Sequence, residues 1–99
     1  MKVVWSAWAL RQVDEIHAWY STEASPEVAD RIVEDILAVT QLLEQFPFGG
    51  QLEPWLEYKG LGHRRVIAGN YKVVYRVHQD EVRIVDVFDS RQDPGKMTV

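Results

Sequence analysis

Residues 62–91, GHRRVIAGNYKVVYRVHQDEVRIVDVFDSR, decide the fold. Three runs of β-favouring residues can be cut from this stretch, at 63–68, 71–78 and 82–89. Gly69 and Asn70 separate the first two. Both tolerate the positive φ of a tight turn, so the pair signals a two-residue hairpin. Gln79, Asp80 and Glu81 supply a polar turn before the third run, and the whole reads as a three-stranded antiparallel meander. A two-residue loop sets Ala68 opposite Tyr71, Val66 opposite Val73 and Arg64 opposite Tyr75 on one side of the sheet. His63, Arg65, Ile67, Lys72, Val74 and Arg76 then occupy the other side. A second turn of even length extends the pattern. Val82, Ile84, Asp86 and Phe88 join the first side, and Arg83, Val85, Val87, Asp89 and, past the strand, Arg91 join the second. One face is aromatic and aliphatic and requires a cover; the other interleaves valines with cations.

The chain has 99 residues, 46% of them hydrophobic and 26% charged, which is enough for a single domain, residues 1–99, with a core that needs no staples. It contains no cysteine, which excludes disulfides and thiolate chemistry. No apolar run approaches the ~20 residues of a membrane span, and the residues after Met1 are too short a run for a signal-peptide core. A cytoplasmic protein without membrane association is expected. The net charge of −4 is divided unevenly. Residues 1–57 carry three basic and ten acidic side chains, a balance of −7, while residues 58–99 carry eight and five, a balance of +3. A uniformly basic nucleic-acid binder is thereby excluded, and any polyanion contact must be local to the sheet.

Upstream, VVWSAW at residues 3–8 is a short β-prone run expected to join the sheet. A helix opening at Trp8 or Ala9 follows, with Ala9, Val13, Ile16 and Tyr20 at helical spacing and Trp19 widening the stripe. Residues 21–25 break the pattern. Ser25, Pro26 and Glu27 then form a strong helix start, because Ser caps, Pro fits the first turn and Glu favours the positive helix end. Ala29, Ile32, Ile36, Val39 and Leu43 make the buried stripe of this second helix, which is expected to end near Gln45. The two amphipathic helices form an antiparallel hairpin whose stripe lacks a partner, and the sheet has a face lacking a cover. The expected fold is therefore α+β, a two-layer sandwich in the order β-α-α-β-β-β. Residues 47–62 read as an irregular connection anchored by Trp55, Leu56, Tyr58 and Leu61, and residues 91–99 as a polar tail.

Few chemistries suit these residues. His17, His63 and His78 lack metal-ligand spacing, so no metal or other cofactor is expected. Gly49 and Gly50 follow a helix instead of opening one, which removes a phosphate-cradling loop. Asp86 and Asp89 fall on opposite faces of one strand and cannot share an acid/base site. The cationic sheet face is the remaining constellation: Arg65, Lys72 and Arg76 suit a phosphate or another anion. Its plain alternative is a solvated outer face, with Lys72 paired to Asp89 in one register. Val74, Val85 and Val87 beneath the cations favour a binding groove.

The chain resembles the RelE/ParE superfamily of bacterial type II toxins. The matching residues are Ser6, Ala9, Val13, Ile16 and Tyr20 in the first helix and Pro26, Ala29, Ile32 and Ile36 in the second, then Phe46, Pro47 and Gly49, the stretch HRRVIAGNYKVVYRV, and VRIVDVFDSRQDP with Arg91 near its end. The resemblance covers essentially the whole chain and implies the family fold, two N-terminal helices packed on an antiparallel sheet.

The resemblance also implies a toxin, of the plasmid-stabilisation type, neutralised by a cognate antitoxin that wraps an extended or helical segment around it. Operator DNA would be reached only through the antitoxin, and the toxin would exist as a homodimer or a hetero-oligomer with it. RelE-like relatives cleave mRNA on the ribosome, which would give Arg65, Arg76 and His63 catalytic roles here. Yet no Tyr or His follows the last strand to serve that chemistry, and Tyr71 and Tyr75 fall on the core face. ParE-like relatives poison DNA gyrase, and YKVVYRV and the Arg91-Gln92 end resemble these more closely. Arg65, Lys72, Arg76, Arg83 and Arg91 are then partner-binding residues. A third alternative is a non-toxic module that only engages an antitoxin.

Overall fold

The computed structural model describes residues 1–97. Strand β1 (Lys2–Trp5) leads into helices α1 (Ala7–Glu23) and α2 (Pro26–Leu42), and four strands follow: β2 (Gln51–Leu52), β3 (Arg64–Ala68), β4 (Tyr71–His78) and β5 (Glu81–Asp89). They form one sheet in the order β1-β5-β4-β3-β2, with the helical hairpin on one face. The architecture is the expected α+β sandwich, with two differences. The sheet is mixed, because β1 pairs in parallel with β5, and the short β2 adds a fifth strand where an irregular connection was expected. A 3-10 turn over Pro54–Lys59 occupies the rest of that connection.

Caps set the helix boundaries. Ser6 ends β1 two residues before the expected helix start, because its hydroxyl oxygen accepts the Ala9 backbone N–H at 3.0 Å. The Ser25 hydroxyl oxygen accepts the Val28 N–H at 3.2 Å, and Pro26 opens α2 as its sequence suggests. α1 runs on to Glu23, three residues into the expected break, so only residues 24 and 25 separate the helices. Ala9 and Val13 of α1 and Ala29, Ile36 and Leu43 at α2 are buried, while Trp19 lies exposed against the edge of Tyr20 instead of widening the stripe.

The β3–β4 hairpin has the register its turn residues dictate: Ala68 pairs Tyr71, Val66 pairs Val73 and Arg64 pairs Tyr75. Gly69 takes φ of 59° at the turn. The β4–β5 turn also has two residues, Gln79 and Asp80, both at positive φ. Val82 and Ile84 therefore face the helices as the even-turn reading requires. Beyond Ile84 the expected alternation fails. Tyr75 pairs Ile84 but Val74 pairs Asp86, so Val85 is an extra residue, a β-bulge. The bulge flips the rest of β5. Val87, opposite Val73, and Asp89, opposite Tyr71, move to the helix side, and Asp86 and Phe88 move to the other.

This flip creates a second, smaller core. Leu56, Val74, Phe88 and Met97 are buried together, with Val85 packed against them. The 3-10 turn and the C-terminal segment thus cover part of the face expected to be an open groove, and Val74 and Val85 are its interior. Of the four expected anchors only Leu56 is buried; Trp55, Tyr58 and Leu61 are exposed. The tail is not simply polar, because Pro94–Lys96 forms a 3-10 turn that delivers Met97 to this core. Residues 98 and 99 of the expected tail lie outside the described residues.

Candidate functional site

Two of the expected site residues converge on one carboxylate. Arg65 on β3 and Lys72 on β4 point from the face opposite the helices toward Glu53, which follows β2. Lys72 Nζ donates to Glu53 Oε1 at 2.7 Å, and Arg65 donates to Oε2 at 3.3 Å and to the Leu52 carbonyl at 2.7 Å. The Glu53 side chain has no solvent exposure, and its backbone N–H donates to the His63 carbonyl at 2.9 Å. Burying a carboxylate is tolerable only with paired cations. Arg65 and Lys72 meet that need, so Lys72 pairs with Glu53 and not with Asp89.

The remaining cations behave differently. Arg76 and Arg83 stand directly opposite each other in the β4–β5 ladder. Arg83 makes a single contact to Glu81 at 3.2 Å, and Arg76 has no hydrogen-bond or ion-pair partner among the described residues. His63 precedes Arg64, which pairs Tyr75, and so flanks Arg76 on the β3 side. Its ring is buried and Nδ1 has no hydrogen-bond partner among the described residues. Burial, and then the charges of Arg76 and Lys59, hold the His63 ring below the usual histidine range. Arg91 lies apart from this row, past the end of β5. It clamps Asp89 through two contacts of 3.0 and 2.8 Å, and this bond holds the Asp89 carboxyl below its usual range.

Asp86 is the second buried carboxylate of this face. The Trp8 indole N–H donates to its Oδ1 at 3.1 Å, and burial pushes its pKa above the usual range. Tyr75, which the helix-side assignment removes from the cationic face, has its hydroxyl oxygen accepting the Gly50 N–H at 2.9 Å. Tyr71 shares a hydroxyl contact of 3.4 Å with Tyr20 on α1. Burial raises the pKa of both tyrosines, so neither is poised to shuttle protons near neutral pH.

A second feature lies at the opposite sheet edge. β2 pairs only Arg64 and Arg65, so residues 66–68 of β3 have no outer strand partner among the described residues. Beside this open edge is a cleft of about 530 Å³ lined by Val39, Leu42, Leu43, Phe46, Val66 and Ile67. Leu42, Phe46 and Ile67 are exposed there, with Leu52 and Phe48 close by in the chain. A sheet edge that ends against apolar side chains is a template for an added strand or helix.

Sequence reasoning finds neither Glu53, the partner of Arg65 and Lys72, nor the contact of Asp86 with Trp8. Glu53 sits in a stretch without periodicity, so nothing local marks it. Asp86 did carry a signal: the even-turn reading places its charge on the core face, a conflict that a bulge resolves. Among the described residues, no group of three or more His, Asp or Glu is arranged to hold a metal, and no helix is long and apolar enough to cross a membrane.

Residues 3–94 match the family described as ParE toxin of type II toxin-antitoxin system, parDE. Among solved structures the fold is similar to a chain of the chromosomal ParDE TA system from P. aeruginosa, with a TM-score of 0.76 and 24% sequence identity. The likeness covers 90% of this chain and 95% of that one. Among curated proteins none matches the sequence.

Proposed function

This chain belongs to the ParE toxin family of type II toxin–antitoxin systems, and from that premise we propose that it inhibits DNA gyrase in the cytoplasm and is neutralised by a cognate antitoxin. The observation that favours this target over mRNA is the state of the cationic face. A ribonuclease of the RelE type needs basic side chains free to grip a phosphate beside a proton-transfer group. Here Arg65 and Lys72 are committed to Glu53, and Arg76, though unpaired among the described residues, stands beside a His63 ring that is buried. What supports capture by an antitoxin is the apolar cleft and the open β3 edge. These suit a segment that adds backbone hydrogen bonds and inserts apolar side chains.

Expression of the chain without an antitoxin tests the reading. Filamented cells, an SOS response and inhibited gyrase supercoiling with intact mRNA are expected. Codon-phased mRNA cuts, abolished by Arg65→Ala or Arg76→Ala, would instead assign the RelE-type activity. Harmless accumulation of folded protein would overturn both. For neutralisation, Ile67→Lys in the cleft should weaken antitoxin binding while leaving the thermal midpoint nearly unchanged, because Ile67 is exposed in the free protein.

A further inference from the structure

Arg76 and Arg83 are cross-strand neighbours on one face of the sheet. Like charges set directly opposite each other in a ladder repel, and a pair chosen only for stability would avoid them. The two other cations of this face, Arg65 and Lys72, share the Glu53 carboxylate, and Arg64 on the opposite face directs its guanidinium to the Phe48 and Gly50 carbonyls. At this corner the only nearby ion pair is the single contact from Arg83 to Glu81, and the Arg76 guanidinium is left unanswered among the described residues. His63 beside it is more than nine-tenths buried, with Nδ1 unpartnered among the described residues, in the field of Arg76 and Lys59. On the other flank Val4 of β1 pairs Arg83, and its side chain is half-buried. The corner thus combines two adjacent guanidinium forks, an unsatisfied buried imidazole and an apolar border.

We propose that the Arg76–Arg83 pair is a docking site for a carboxylate carried on an acidic segment of a protein partner. The inference rests on the reading that this chain acts through protein contacts, and it adds the chemistry of one of them. A carboxylate placed between two guanidinium groups accepts several charge-assisted hydrogen bonds and removes their mutual repulsion, so the pair is stabilised by what it binds. A nucleic acid fits less well. The chain carries a net charge of −4, and two further cations of this face already share the Glu53 carboxylate. Two guanidinium groups with one ion pair between them, from Arg83 to Glu81, suit a short acidic motif, whereas a phosphate backbone draws its affinity from many contacts. Val4 offers the border on which the apolar neighbours of such a motif can rest.

The test uses the full chain titrated with a hexaglutamate peptide, and separately with inorganic phosphate and a single-stranded hexanucleotide, at low ionic strength and followed by NMR. The peptide is expected to shift the Arg76 and Arg83 side-chain signals and the His63 ring saturably. Its affinity should fall about tenfold in Arg76→Gln or Arg83→Gln, each of which loses a charge-assisted contact. Binding should vanish at about 0.5 M NaCl, where exposed charges are screened. Arg76→Gln removes a like-charge contact, so its melting temperature should equal or exceed that of the parent, which keeps loss of binding distinct from loss of fold. The proposal is overturned if the peptide shifts map elsewhere, if the Gln variants bind as the parent does, or if the hexanucleotide or phosphate binds more tightly than the peptide. No antitoxin or gyrase enters this assay, so the toxin reading can fail while the corner binds, and the corner can fail while the toxin reading stands.

Discussion

The Lys72 ammonium on β4 lies 2.7 Å from Oε1 of Glu53, a carboxylate shut off from solvent between β2 and the 3-10 turn. The contact joins two segments 19 residues apart and ties the connection to the outer face of the sheet. Removing Glu53 would strand Lys72 and Arg65, whose side chains are only 14% and 22% exposed. Breaking a buried pair from one side costs about 3 kcal/mol. Glu53→Gln should therefore lower the urea midpoint strongly. In a double-mutant cycle with Lys72→Met the coupling should be about 2 kcal/mol, as for a hydrogen bond between charged groups. Additive effects would mean that the pair contributes nothing beyond its solvated parts.

The β3–β4 hairpin was legible because its signal is local. Gly69 and Asn70 select the turn, the turn sets the register, and alternation then assigns Val66, Val73 and Tyr75 to the helix side. The helices were legible from Ser25 and Pro26 and from the spacing of Ala29, Ile36 and Leu43. The second half of β5 was not, because IVDVF offers an apolar residue in both phases and a one-residue bulge decides between them. Glu53 escaped notice because its partners are set by tertiary pairing with β3 and β4. Hydrophobicity also over-reads burial: Trp19, Trp55, Tyr58 and Leu61 are all exposed, since folded surfaces retain much apolar area. At the candidate site, residue types were readable and their pairing was not. Arg65, Lys72, Arg76 and Arg83 share a face as expected, yet which of them are neutralised depends on a loop carboxylate.

Gly50 is predicted to be the least replaceable glycine. A Cβ there would lie 2.6 Å from the Arg65 carbonyl oxygen and 2.7 Å from the Tyr75 hydroxyl, with backbone on one side and a fully buried ring on the other. Neither neighbour has room to move, so Gly50→Ala should cost about 3 kcal/mol as overpacking. Gly60 at φ of 66° faces open space, and Gly60→Ala should cost about 1 kcal/mol through backbone strain alone. Thermal melts of the two variants should rank in that order; equal midpoints would contradict the close approach at Gly50.

Trp8→Phe removes the indole N–H from Asp86 Oδ1 while keeping an aromatic side chain. Losing one partner of a buried acceptor costs about 1–3 kcal/mol. The lost donor also favoured the carboxylate form, so the Asp86 pKa, already raised by burial, should climb further. NMR titration of the Asp86 carboxyl carbon should show the upward move. An unchanged midpoint would mean that the indole contact does not persist in solution.

His63 gives the fold a pH dependence of definite sign. Burial, Arg76 and Lys59 hold the folded ring below the value of 6.5 expected of an unfolded histidine. Above 6.5 both states are neutral and His63 contributes no slope. As the pH falls below that value the unfolded chain takes up a proton that the folded chain refuses, so stability declines until the folded ring also protonates. Asp86 acts in the opposite sense. Its folded pKa lies above 3.8, so the folded state is protonated first on acidification and gains stability. Urea unfolding from about pH 7.5 to about pH 5 should therefore show stability falling with acid, and His63→Gln should flatten that decline because its amide does not titrate. A decline of the same steepness in His63→Gln would place the responsible proton on another group.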